Sequence, residues 1–291
     1  MSLSDLIYQK AIILGGDKKI ELKPFYSTEL GSLYKGDCLE VMDYLISQNM
    51  KFDAIITDPP YAVTNFSWDQ IIPFDEMWKR LLSLIKDDGA IVLFGNEPFS
   101  SSLRKSCEKL YRYDWKWIKT QVTGFVNAKY QPLRCYEDIM IFSKAGVIYN
   151  CDKTMCYYPQ GLIPVHLKNK AKPKVLNEKT WNFNKSKEYV KEYENYPRNV
   201  LQFARETNLF HPTQKPCNLM EYLILTYTKK NELVLDFTAG SGSTLIASEL
   251  LNRKWIGIEI TDKYCEVIKR RIENGLQLKI DFENDLSKEE D

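Results

Sequence analysis

The most constraining feature of this chain is an order of elements that occurs twice. Residues 52–58, FDAIITD, form a short β-branched apolar run ending in an acid, and residues 89–94, GAIVLF, form a second. Such runs read as buried parallel strands. Between them, IIPFDEMWKRLLSLIKDD sets Phe74, Met77, Trp78, Leu81, Leu82 and Ile85 at helical spacing, which gives strand, helix, strand. A third buried strand, 137–143 (EDIMIFS), follows the WKWI segment at 115–118. The alternation returns late in the chain: a helix over 218–228, a strand over 232–237, a helix over 241–253 and a strand over 254–260. TDKYCEVIKRRIENGL then reads as a helix opened by a Thr or Asp cap. This pattern predicts an α/β fold of three layers, a mostly parallel twisted sheet with helices on both faces.

The two halves are separated by residues 144–208, which carry Lys, Asn, Tyr and Pro without sustained periodicity and read as an insertion. The expected organisation is one domain from 1–143 and 209–278, the insertion over 144–208, and a frayed acidic tail over 279–291. The formal charge of the chain is only +1, which excludes the strongly basic body of a packaging protein. That balance conceals a basic region, because 144–205 holds twelve Lys and Arg against five Asp and Glu. Seven scattered cysteines with no C-x-x-C pair, and two histidines, argue against a disulfide scaffold or a metal site. No apolar run approaches the roughly 18 residues that span a bilayer, and the start, MSLSDLIYQK, lacks the pattern of a secretory signal. The expectation is a soluble cytoplasmic protein with no membrane partner.

Two motifs carry chemistry. Asp58-Pro59-Pro60-Tyr61 follows the strand FDAIIT, at the carboxyl edge where open α/β sheets place ligands. Two prolines stiffen the backbone and remove two N–H donors, leaving an acceptor-rich corner. The Asp58 carboxylate and the Pro59 carbonyl can accept from one planar NH2 group, and the Tyr61 ring can stack on the flat system that carries it. Taken alone, D-P-P-Y is also a plain proline-rich turn with a capping Asp.

The second motif is LVLDFTAGSGSTLIASELL, in which Gly240 and Gly242 allow a tight turn before a helix. Glu259, nineteen residues after Gly240, ends the next strand, where a carboxylate can bind ribose hydroxyls. The loop lacks the Lys of a phosphate-binding P-loop and the third Gly of a dinucleotide fingerprint. Asp236 at its mouth disfavours a pyrophosphate and suits a cation such as a sulfonium, which points to S-adenosylmethionine. Glu259 and Asp37 also read simply as helix caps, and Lys215, by residue type, as a solvated lysine.

Together these motifs resemble those of the DNA amino-methyltransferases. Their order, catalytic motif before cofactor loop, resembles the beta arrangement of that family, in which the halves of the fold are permuted. Three segments add to the resemblance: Gly36-Asp37-Cys38-Leu39, Arg134-Cys135-Tyr136-Glu137-Asp138, and His211-Pro212-Thr213-Gln214-Lys215-Pro216. The resemblance implies a Rossmann-like S-adenosylmethionine-dependent methyltransferase fold with a variable insertion. It implies a cofactor site of Asp37, Cys38, Asp236, Phe237, Gly240, Gly242 and Glu259, with His211, Thr213 and Lys215 near the methionine end and Lys215 paired to its carboxylate.

Asp58, Pro59, Pro60 and Tyr61 are implied as the catalytic corner, acting on a base flipped out of double-stranded DNA. Asp in the first position usually accompanies adenine N6 methylation in the family, and Ser cytosine N4 methylation. The residue after Tyr61 is Ala62, where many members carry Asn or Gly. Residues 144–208 occupy the family's place for target recognition, with Lys168, Lys170, Lys172 and Lys174 as phosphate contacts and Tyr157, Tyr158, Trp181 and Phe183 as groove or base contacts. A homodimer and a restriction endonuclease sharing the site are partners that the resemblance allows, in a bacterial cell or for a phage enzyme in its host. From another class, a catalytically silent DNA-binding module could keep the same fold as a scaffold.

Overall fold

The computed structural model describes residues 22–62, 69–170, 188–206, 210–211 and 213–289. They belong to two compact units, one made of the chain up to Tyr158 and from Asn199 onward, the other spanning Pro159–Arg198. In chain order the larger unit begins with β1 (Tyr26–Ser27), β2 (Gly31–Lys35), α1 (Cys38–Ser47), β3 (Phe52–Thr57), α2 (Phe74–Leu84) and β4 (Ile85–Gly95). It continues with α3 (Phe99–Ser106), β5 (Tyr111–Thr123) and β6 (Arg134–Phe142). The smaller unit holds β7 (Ile163–Lys170) and β8 (Glu188–Glu194). The chain then returns through β9 (Val200–Phe203), α4 (Cys217–Tyr227), β10 (Leu233–Asp236), α5 (Ser243–Leu250), β11 (Lys254–Glu259) and α6 (Asp262–Glu289).

Nine of these strands form one sheet in the order β1-β2-β11-β10-β3-β4-β6-β5-β9. The run from β2 to β4 is parallel, β6 is antiparallel to both β4 and β5, and β9 lies parallel to β5. Successive side chains on a strand face opposite sides of a sheet, and the strand residues divide accordingly. Ile55, Ile91 and Leu93 pack with Met42, Leu45, Met77, Leu81 and Leu103 of α1, α2 and α3. Ala54, Ile56, Val92 and Phe94 pack with Leu219, Leu223, Ile224 and Tyr227 of α4. A third cluster joins Leu33 and Trp255 to Leu245 of α5 and to Cys265, Ile268 and Ile272 of α6. The fold is the expected mixed, mostly parallel sheet covered on both faces.

Three expectations are corrected in detail. The separate unit is narrower than 144–208, because β9 joins the main sheet: Lys116 N donates to Asn199 O at 2.8 Å, and β9 pairs with β5 from Val200 to Phe203. Tyr157 and Tyr158 likewise belong to the larger unit, where Tyr158 N donates to Thr226 O at 2.7 Å and the Tyr157 ring lies 6.4 Å from that of Tyr227. Second, the insertion is not without periodicity, since β7 and β8 pair as an antiparallel ribbon with Lys168 opposite Val190 and Lys170 opposite Glu188. Lys172, Lys174, Trp181 and Phe183 lie outside the described residues. Third, the expected frayed tail continues α6 as far as Glu289: Gly275 costs the helix only about 1 kcal/mol, and no Pro follows it.

Strand β2, paired between β1 and β11, has no alternation to betray it in GSLYK, yet it is tightly packed. Gly31 sits opposite Trp255, and a Cβ on Gly31 would lie 2.1 Å from the indole ring. Gly31→Ala is therefore expected to destabilise the chain by about 1–3 kcal/mol through overpacking, read as a lower urea midpoint with an unchanged slope. An unchanged midpoint would mean that β2 moves freely.

Candidate active site

Neighbouring parallel strands β3 and β10 end side by side, and the two sequence motifs begin there. Thr57, the last residue of β3, donates its hydroxyl to Asp236 Oδ1 at 2.6 Å, and Asp236 is the last residue of β10. Thr238 reaches back across the same gap: its Oγ1 lies 2.6 Å from Thr57 Oγ1 and donates to Asp58 O at 3.1 Å, while its N–H donates to Asp236 Oδ1 at 3.2 Å. The proline-stiffened corner and the glycine bend are thus bonded to one another at one rim.

Both line a cleft of about 360 Å³. Asp58, Pro59, Pro60 and Tyr61 form one part of its wall, and Asp236, Phe237 and Gly240 another. Asp37, Cys38 and Glu259 come from the adjacent strand ends, and His211, Thr213 and Lys215 from the segment before α4. Of the candidates, Gly242 does not line the cleft. Its φ of 80° requires glycine, and a Cβ there would meet Ile268 at 2.8 Å, so its close approach is to α6 and not to a ligand.

Several candidates also have structural duties. Asp37 caps α1 by accepting from Leu39 N at 2.8 Å. Glu259 accepts from Gly240 N at 2.9 Å and Thr261 N at 2.8 Å, one bond on each carboxylate oxygen. Each oxygen keeps a second lone pair, so ligand hydroxyls can still bind. His211 is buried, and burial followed by the nearby Lys215 and Lys263 charges lowers its pKa to about 4. Its ring is neutral at pH 7, with Nδ1 3.2 Å from the Thr213 N–H that donates to it. Burial pushes the Cys38 thiol up to about 12, so it lines the wall as an uncharged group.

Lys215 lines the cleft, and not the surface that residue type alone favours. It is 6% exposed, not solvated, and its ammonium donates to Asp58 Oδ2. Glu137 of β6 lies beside it, with Oε2 at 3.3 Å from Nζ, and Lys119 of β5 pairs with Glu137 Oε1. Burial opposes the charge on Lys215, but Asp58 and Glu137 outweigh it and raise its pKa, so it is an ammonium. Burial raises the Asp58 pKa, with Glu137 adding to the rise and Lys215 opposing it. Glu137 is lowered despite burial, because Lys215 and Lys119 both hold it ionised.

Tyr61 completes the corner. Its hydroxyl donates to Asp58 Oδ1, and its ring centroid lies 4.8 Å from that of Phe99, tilted by 33°. The N–H groups of Tyr61 and Ala62 both donate to Asp69 Oδ1 at 2.9 Å. Ala62 has φ of 56°, the left-handed region that Gly and Asn tolerate best, which explains why those residues suit this position. Sequence patterns missed Thr57, Thr238, Asp69, Lys119 and the charge role of Glu137, since single polar residues at strand ends carry no periodic signal.

The cleft fits S-adenosylmethionine. Its size suits a small-molecule ligand, and two carboxylates, Asp236 and Glu259, stand at the glycine bend where a cation and a diol would need them. A family model described as DNA methylase matches residues 52–270. The type II methyltransferase M.BamHI of Bacillus amyloliquefaciens is 26% identical over 287 residues, covering 87% of this chain, and the chain spans 60% of that relative's length. Among solved structures, the complex of M1.HpyAVI with SAM is 26% identical at a TM-score of 0.56, covering 83% of this chain and 98% of its own. PvuII DNA methyltransferase, cytosine-N4-specific, is 20% identical at a TM-score of 0.59, covering 86% and 89%, a likeness of fold.

Burial pushes Asp236 up to about 6 from the ordinary 3.8, so the cost of burying its charge is absent below about pH 4, builds as the pH rises and is full above about 6. Asp236→Asn keeps an Oδ1 acceptor for Thr57 and Thr238. The variant is expected to melt higher than the parent at pH 7.5, to keep only part of that advantage at pH 5, and to bind S-adenosylmethionine more weakly by calorimetry. Lower melting at pH 7.5 would count against a buried charge at Asp236.

Proposed function

Because the chain belongs to the DNA methylase family that acts on adenine N6 or cytosine N4, we propose that it is a site-specific methyltransferase that uses S-adenosylmethionine to methylate the N6 amine of an adenine flipped out of duplex DNA. The observation that carries this reading is the hydrogen-bonded union of the D-P-P-Y corner with the glycine bend across β3 and β10. It sets an amine-gripping acceptor beside a site for a cationic methyl donor.

Glu259 holds the ribose hydroxyls, and Asp236 and Phe237 form the floor at the bend. The cofactor supplies a methyl group on a cationic sulfur. Asp58 and the Pro59 carbonyl accept the two N–H groups of the target amine, whose lone pair is otherwise delocalised into the ring. These bonds raise the electron density on nitrogen, and the carboxylate stabilises the positive charge that develops there. Asp58 then takes the departing proton, a task suited to a carboxyl whose proton affinity burial has raised. The Tyr61 ring covers the base, and stacking of this kind contributes about 1–3 kcal/mol. No covalent intermediate is needed, so the cysteines have no part in the step.

Asp58 favours adenine, because family members acting on cytosine N4 usually carry Ser there. The likeness to the PvuII enzyme keeps cytosine N4 as the second reading. A silent DNA-binding module is disfavoured by an intact corner and an intact bend in one cleft. Duplex DNA is the substrate partner, with the lysine-rich smaller unit, including Lys168 and Lys170 on β7, as its recognition element. A homodimer and a cognate endonuclease fit this role, as does a cytoplasmic setting. Among the described residues no helix is long and apolar enough to cross a membrane.

Three measurements test this. With labelled S-adenosylmethionine and unmethylated DNA, Asp58→Ala is expected to lose methyl transfer by about 10²-fold or more while binding the cofactor within a few-fold of the parent. Nucleoside analysis of the product should give N6-methyladenine, and N4-methylcytosine in its place would overturn the choice of base. DNA affinity should fall steeply with salt, by about 10³-fold between roughly 50 and 200 mM. The paired substitution Lys168→Ala with Lys170→Ala should flatten that dependence, and an unchanged slope would remove the two lysines from the DNA contact.

A further inference from the structure

Beside the reacting corner lies a cluster that the mechanism above leaves idle: Glu137, Lys119 and the ammonium of Lys215. We propose that Glu137 is a positioning residue for methyl transfer, offering the Lys215 ammonium a second carboxylate so that Asp58 is released to grip the incoming amine. The proposal rests on the methyltransferase reading of Asp58 and adds a residue to it.

Both oxygens of Asp58 are engaged before any base arrives, Oδ1 by the Tyr61 hydroxyl and Oδ2 by Lys215 Nζ. An amine N–H must take one of these acceptor positions. A cation seated on Oδ2 also draws off the negative charge through which Asp58 activates the nitrogen. Lys215 must therefore give way, and it cannot retreat to water: its side chain is buried, with Nζ 5.1 Å from the centre of the Phe94 ring. A buried ammonium moves only to another acceptor.

Glu137 is built to be that acceptor. Lys119 holds its Oε1, whereas Oε2 is buried, has no hydrogen-bond partner and stands 3.3 Å from Lys215 Nζ. The carboxylate is pinned at one oxygen and open at the other. Two carboxylates and two ammonium groups balance in charge, so Lys215 can pass from Asp58 to Glu137 without bringing net charge into the site. Lys215 is thereby a partner of the catalytic carboxylate, not of the cofactor's methionine end as the sequence resemblance implies.

The groups that act on Asp58 are Tyr61 on its own turn, Lys215 from the segment before α4, Glu137 from β6 and Asp236 from β10, while Lys119 of β5 acts on Glu137, Asp138 on Tyr61, and Lys215 on His211. Glu137→Gln changes one of these charges and preserves shape. Its loss ties Lys215 to Asp58, which slows transfer. It also lowers the proton affinity of Asp58, because the Glu137 charge is among the causes that raise it.

The test uses the full chain, labelled S-adenosylmethionine and unmethylated DNA of mixed sequence, with rates measured across pH. Glu137→Gln is expected to lower kcat by about tenfold or more, to leave KM for S-adenosylmethionine within about twofold, and to shift the acid limb of the rate to lower pH. Combined with Lys215→Gln, it should cost nothing beyond Lys215→Gln alone, since Glu137 then has no ammonium to receive. An unchanged kcat, an acid limb that stays in place, additive losses, or a KM that rises in step with the loss would each overturn the proposal. A parent chain that transfers no methyl at all would instead overturn the methyltransferase reading.

Discussion

The Thr57 hydroxyl bonded to Asp236 is the joint on which the rest of the site depends. A buried carboxylate without donors is costly, and this one is supplied from the neighbouring strand and from its own turn. The bond therefore stabilises the bend and aligns two loops whose sequences are far apart. Thr238 extends the alignment to the backbone of Asp58, so the orientation of the corner is tied to that of the glycine bend. Parallel pairing of β3 with β10, Val234 opposite Ala54 and Leu235 opposite Ile55, sets both loops at the same height. Secondary structure supplies the position, and two hydroxyls supply the angle.

Charge is handled differently at the two ends of the cleft. Around Asp236 and Glu259 there are carboxylates held by neutral donors, an arrangement that remains short of a cation. Around Asp58 the negative charge is already compensated by a buried lysine, and a second carboxylate shares that lysine. A buried carboxylate with nothing to neutralise it would take up a proton, whereas one that shares its counterion can keep or surrender its charge as the step demands. Burying ionised groups costs stability, and the rim concentrates that cost where the chemistry takes place.

Much of this was legible in the residues. Strands β3, β4, β10 and β11 and helices α2, α4 and α5 stood out because buried parallel strands are continuous apolar runs and their helices carry one apolar stripe. The catalytic and cofactor motifs were legible because prolines and glycines restrict or free the backbone at known places. What escaped had no such signature. Strand β2 is five residues with one glycine, and β9 is four residues inside a lysine-rich stretch, recruited by β5 through long-range pairing alone. Residue type alone favours the surface for Lys215, and only the convergence of Asp58 and Glu137 from distant strands, which no local pattern shows, makes its burial tolerable. Thr57 and Thr238 are unremarkable in composition and matter only through where the sheet brings them.

The place of β10 between β3 and β11 has a consequence for how the molecule comes into being. A growing chain exposes β3 and its corner well before residue 233 leaves the ribosome, a delay of roughly 10–35 s at about 5–20 residues per second. Until then β3 lacks its β10 neighbour, and the corner has no Asp236 to bond. Synthesis that stops early yields a fragment with the D-P-P-Y corner but no glycine bend beside it. Competence therefore arrives in a single late event, when the last quarter of the polypeptide slots into the middle of the sheet.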